Sequence, residues 1–303
     1  CVQITTLSGQ VRPTRSRPPE FTGDEVRGVF FPDVTKLMRG RLPTVAELGK
    51  SPQVGANTVA LPTGNADAPD NNDPLAWKRL ITPNSVEDLI KGGKLALDQL
   101  VTTPQAFASG GYPQARREFS QLAVLFAVSE VYPDDIRWKA SAAAARESMA
   151  RAAANTKVGS LPVFNEAKAR LLDLGDLTRG TKLANATRSE LNWAELIDRE
   201  PLMQLLELAL EEKISDGVAS QGAFQKDPDQ LRRYAELVAV LGKVAISDEM
   251  PDADDDDYRS LSLEMIQAAQ QIVLAVETED AELARKASSR MGQSCSKCHD
   301  DYR

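Results

Sequence analysis

Two stretches of the chain repeat one another at a constant offset of 116 residues. Trp77-x-x-Leu80-Ile81 returns as Trp193-x-x-Leu196-Ile197, and Arg116-Arg117 returns as Arg232-Arg233. Ala123-Val124-Leu125 matches Ala239-Val240-Leu241, and Val128 matches Val244. Ungapped agreement over about 50 residues argues for duplication over chance. Each unit is about 110 residues long, enough for an antiparallel four-helix bundle. The chain must therefore build a similar object twice.

The apolar spacing says that the object is helical. Val86, Leu89, Ile90, Leu97, Leu100 and Val101 fall on one helical face. Pro113 can open a second helix carrying Phe119, Leu122 and Phe126. Pro133 can open a third, through the run "SAAAARESMARAAA", and a fourth spans about Pro162 to Leu174, stopping near Gly175. Residues 177–190 are polar and read as a connector. A second set starts near Pro201, with Leu202, Leu205, Leu206 and Leu210 inward. It continues from Pro228 to about Ile246, then through Leu261, Met265, Ala269, Ile272 and Val276, and finally from about Asp280 to the C-terminus. Low aromatic content and plentiful Ala, Leu, Glu and Gln favour helix over sheet. A helix with one apolar stripe must bury it, and four in a bundle do so with short loops. The expected fold is all-α: two tandem four-helix bundles, over 76–182 and 190–303.

Residues 1–75 differ. Stretches such as "VRPTRSRPPE" and "LPTGNADAPDNNDP" cannot bury much apolar surface and read as a tether. Within them, Val29 to Met38 form a small apolar patch, where Asp33 can cap a short docking helix. The first residue is Cys1, which resembles the lipid-bearing cysteine of a mature bacterial lipoprotein. Membrane attachment through a lipidated Cys1 is one expectation; the other is a boundary that merely falls there. No apolar run reaches the ~18–20 residues that span a bilayer. The net charge is −8 with no long basic stripe, which argues against nucleic acid and suits docking to a basic partner. The acidic run at 252–257 reads as a solvated loop whose carboxylates favour the next helix N-terminus. It lacks the spaced ligands and Gly turn of a calcium loop.

Chemistry concentrates at the other end. Cys295-Ser296-Lys297-Cys298-His299 is C-x-x-C-H, the attachment pattern of c-type haem, and His299 is the only histidine of the chain. On a helix, residues three apart share a face, so both sulfurs can meet the two vinyl groups of one haem edge. His299 lies on that face too, where its imidazole can reach the iron. Other readings compete. Zinc wants four N or S ligands, and here a remote Cys1 or a carboxylate such as Asp300 would have to complete the set. A thiol–disulfide motif usually follows a strand, whereas this one ends a helical pattern. Chance is weakened by the sole histidine standing at the one position the chemistry requires.

Asp300-Asp301-Tyr302-Arg303 extends the motif to C-x-x-C-H-x-x-Tyr-Arg, closing a four-helix pattern. This resembles the class II c-type cytochromes, the cytochrome c-prime group. The resemblance is specific over 283–303, rests on helix pattern over 193–303, and reaches 77–182 only through the repeat. It implies one covalent haem c on Cys295 and Cys298, with His299 as iron ligand and Arg303 near the haem's proximal face. The first copy departs from it. It has no Cys and no His, and it reads "DLTRGTKL" where its motif should stand, so it is expected to be a degenerate bundle without haem.

The family splits at the sixth iron position. In one branch an apolar side chain blocks it and the five-coordinate iron meets small gases; in the other a Met from the first helix binds. Met203 lies near where that Met stands, flanked by Leu202, Leu205 and Leu206, which can instead form the lid. Met291, one turn before Cys295, is expected to be packing. The resemblance implies electron transfer in the periplasm with a redox partner, or else binding of nitric oxide or carbon monoxide. A third reading is an interaction module built on the degenerate copy. The only histidine is committed, which leaves no Ser-His or Cys-His catalytic arrangement.

Overall fold

The computed structural model describes residues 73–183 and 190–302, all of them within one unit, 66–303. Residues 1–72 of the tether, with Cys1 and the Asp33 cap, and Arg303 lie outside the described residues. Among the described residues there is no strand; the chain forms an all-α helical bundle fold.

A short helix, α1 (Trp77–Leu80), leads into α2 (Pro83–Leu100). Thr82 caps α2, its hydroxyl accepting from the Ser85 amide at 3.3 Å, and Pro83 takes the first position, where a missing N–H costs nothing. Then come α3 (Tyr112–Val131), α4 (Ala142–Asn155) and α5 (Leu161–Thr178). The order recurs with α6 (Trp193–Leu196) and α7 (Arg199–Leu208), which continues as a π-helical turn, Ala209–Ile214, and a last α turn, Ser215–Val218. After these follow α8 (Gln221–Lys226), α9 (Pro228–Ala245), α10 (Asp256–Glu277) and α11 (Ala281–Asp301).

Neighbouring follows the same plan twice. In the first set α2 packs on α3, α3 on α4, α4 on α5, and α5 returns to α2. In the second, α7 and its π turn pack on α9, α9 on α10, α10 on α11, and α11 returns to the end of α7. The two sets are also joined. α3 touches α6 and α7, while α9 touches α1 and α2. This explains why α3 is buried on every face from Glu118 to Ser129, and α9 from Ala235 to Gly242: each serves its own set and the other.

Some boundaries differ from the sequence reading. Pro133 opens no helix; the chain turns through Trp138 at φ 65°, and α4 begins at Ala142. α5 runs past Gly175 and ends before Gly180, whose φ of 102° is the left-handed conformation that suits a helix stop. α7 starts two residues before Pro201, because a proline in the first turn removes an N–H that has no intrahelical partner. The acidic run does what its charge suggests. Asp255 caps α10, accepting from the amides of Asp257 and Tyr258 at 2.9 and 3.0 Å.

Candidate haem-attachment site

α11 is held by small residues. Ala284, Ala287 and Met291 are buried on one face, and alanines there let α11 pack closely on α10. The same face, carried to the end of the helix, presents the motif. Cys295 and Cys298 are half-buried free thiols, and His299 is exposed. The Cys295 sulfur lies 4.0 Å from the Met265 sulfur of α10.

These three residues border an open cavity of about 490 Å³, within the roughly 300–1,000 Å³ typical of cofactor sites. Met203, Leu206 and Leu210 form its α7 side, Ala245 comes from α9, and Tyr258, Leu261 and Met265 come from α10. Glu207 and Glu211 add carboxylates on the α7 side. Met203 is thus brought into the cavity that holds the C-x-x-C-H residues. Leu206 shares the wall, whereas Leu202 and Leu205 turn into the core instead. Met291 is fully buried and does not line the cavity.

Burial pushes both thiols up: at Cys295 burial leads, with neighbouring Cys298 adding, and at Cys298 Arg199 opposes the shift. They are held as thiols, not as the thiolates that a metal or a disulfide exchange site favours. Among the described residues no group of three or more His, Cys, Asp or Glu is gathered to hold a metal ion. The site fits a haem on its own features: two uncharged thiols three residues apart, an imidazole beside them, and a largely apolar cavity in front.

The sequence reading did not single out the residues at the cavity edge. Arg199 pairs with Asp252 at 2.6 Å and lies over the Tyr258 ring at 5.5 Å. Tyr258 meets Tyr302 edge-on at 5.3 Å, and the Tyr302 hydroxyl donates to Asp255 at 2.5 Å. Burial raises the Tyr258 hydroxyl, with Arg199 pulling it back. The available signals were spacing ones: Arg199 stands one turn before Met203, and Tyr258 two turns before Met265. This cluster ties the last residues of the motif to the start of α10.

The first copy fills the matching place differently. Met265 has Met149 as its counterpart, but Ser262, which lines the cavity, corresponds to Arg146. Arg146 is 1% exposed, with its Nε 3.1 Å from a buried Glu130 carboxylate. An internal ion pair stands where the second copy keeps a space.

A helical bundle that ends its last helix with C-x-x-C-H beside a cavity defines a haem-binding class of protein. Residues 253–303 match the family model described as Cytochrome C', so this C-terminal part of the chain is similar to that family. No curated protein and no solved structure matches the chain.

Proposed function

We propose that the protein is a c-type cytochrome that carries one covalent haem and transfers electrons in the periplasm. Cys295 and Cys298 would hold the haem by thioether bonds, and His299 and Met203 would be the residues that bind its iron. Bound haem supplies a one-electron ferric/ferrous couple. The residues of this chain attach it, orient it and keep water from most of its surface. The observation that carries the reading is that both thiols, the sole histidine and Met203 border one cavity. Arg303 belongs to the reading through the family resemblance. Export follows from it as well, because bacteria attach haem by thioether bonds outside the cytoplasm. The first set, without Cys or His, is a degenerate, haem-free repeat.

A second reading has a specific observation in its favour. Leu206 and Leu210 line the same wall as Met203 and can lid a five-coordinate iron that meets nitric oxide or carbon monoxide. The experiment has two stages. Protein made with a haem-maturation system is run on a denaturing gel and stained for haem peroxidase activity; no stain sinks the assignment. The reduced spectrum then separates low-spin iron, expected for Met203 ligation, from the high-spin iron of a gas binder.

A further inference from the structure

The constant offset of 116 suggests ungapped agreement between the two sets, but they differ by one residue at a telling place. Before it, buried pairs match at an offset of 116: Val86 with Leu202, Leu89 with Leu205, Ile90 with Leu206. Beyond it they match at 117: Leu97 with Ile214, Val101 with Val218, Phe107 with Phe224. The caps agree, since Thr103 accepts from the Ala106 amide and Ser220 from the Ala223 amide, again 117 apart. The second set therefore holds one more residue between Ile90/Leu206 and Leu97/Ile214. That interval contains the π-helical turn Ala209–Ile214, whereas α2 runs through its own interval as plain α-helix. The register returns to 116 at Arg116 and Arg232, because the first set carries its own extra residue around Gly110, at φ 143°.

An i→i+5 turn absorbs one inserted residue without breaking the helix, and such turns are rare and concentrate at functional sites. Here the turn has two sides. Ile214 goes back into the core, in step with Leu97. Leu210 and Glu211 face the cavity, continuing the wall of Met203, Leu206 and Glu207. Plain α-helix would carry Lys213, not Ile214, to the place Leu97 holds. The insertion thus lets Leu210 and Glu211 continue the wall set by Met203 and Leu206 while the helix beyond them returns an apolar residue, Ile214, to the core.

We propose that the π-helical turn Ala209–Ile214 shapes the haem cavity, making Leu210 and Glu211 the side chains that govern access to the iron's sixth position. This rests on the haem reading above. The test uses the full-length holoprotein and carbon monoxide as the probe. Deleting Glu212 restores the register of the first set. Helicity should persist, while the reduced spectrum shifts and the rate of carbon monoxide binding changes by about tenfold or more. Leu210→Ala, which leaves the turn in place, should speed binding, whereas Leu208→Ala, off the cavity, should not. If the deletion prevents folding, the Leu210 and Leu208 variants decide alone. Unchanged rates and spectra in the deletion and in Leu210→Ala overturn the proposal and leave the haem reading intact. An unaltered protein that attaches no haem overturns both, and the stained gel tells the two failures apart.

Discussion

Trp77 and Trp193, the same position in the two repeats, meet each other with ring centroids 5.4 Å apart. A residue that touches its own equivalent lies near an axis of approximate two-fold symmetry. The contacts on either side are reciprocal in the same sense. Arg116 of α3 reaches Asp198 at the start of α7, at 2.5 Å. Glu236 of α9 accepts from Thr82 at the start of α2, at 3.1 Å from its hydroxyl. Thr82 and Asp198 are themselves equivalents, so the second long helix of each set grips the entry to the first helix of the other.

The tryptophan pair should therefore act as a unit. Trp193→Ala is expected to cost about 3 kcal/mol or more in a urea melt. The double variant with Trp77→Ala should cost less than the sum, by about 0.5–1.5 kcal/mol. Strict additivity in the double-mutant cycle would show that the rings do not depend on each other.

Met203→Ala should change the haem spectrum, converting low-spin iron to high-spin, while Met291→Ala should cost stability and leave the spectrum alone. Met203 is half-buried on the cavity wall, whereas Met291 is fully buried behind Cys295. Emptying a buried Met position costs on the order of 2–5 kcal/mol, so helicity is followed beside absorbance. A spectrum that ignores Met203→Ala favours the gas-binding reading.

The Arg146–Glu130 pair should behave as a buried pair does. Glu130→Gln removes the nearer of two carboxylates beside the buried Arg146, the other being Glu147 at 3.7 Å, and is expected to cost about 1–3 kcal/mol. Replacing both partners with apolar side chains of similar size should recover most of that loss. A single variant within about 0.5 kcal/mol of the unaltered protein would contradict the pairing.

Lys243 gives a pH signature. Its ammonium donates to the Leu75 carbonyl at 2.7 Å and lies 3.9 Å from the Trp77 ring centre, and burial pushes it down to about 8 from 10.5. A lowered amine means that the unfolded chain binds the extra proton more readily. The penalty for charging is thus complete below pH 8 and fades as pH climbs toward 10.5. Stability should rise across that window, by at most about 3 kcal/mol. Lys243→Met should flatten the rise, as thermal melts at fixed ionic strength would show.

Much of this was legible beforehand, for identifiable reasons. α9 and α10 announce themselves because their apolar residues recur with the helical period, and the motif announces itself because its chemistry is local. Pro133 misled because a proline permits a helix start without requiring one. Gly175 misled because a glycine inside a helix is only costly, and the residue that truly needed positive φ was Gly180. Leu210 was read as inward by a period of 3.6, and it packs against the core in step with Met203 and Leu206, while the period could not tell that the space it faces is a cavity. Arg199 and Tyr258 stayed hidden because their importance comes from where α7, α10 and α11 meet, a relationship no single stretch records.

The buried ion pair of the first set bears on the order of events in time. A set whose centre is filled by its own side chains can close without waiting for anything from outside. The second set has a cavity at the matching place, so its closure lacks that filling and leans instead on the surface that α3 offers to the start of α7.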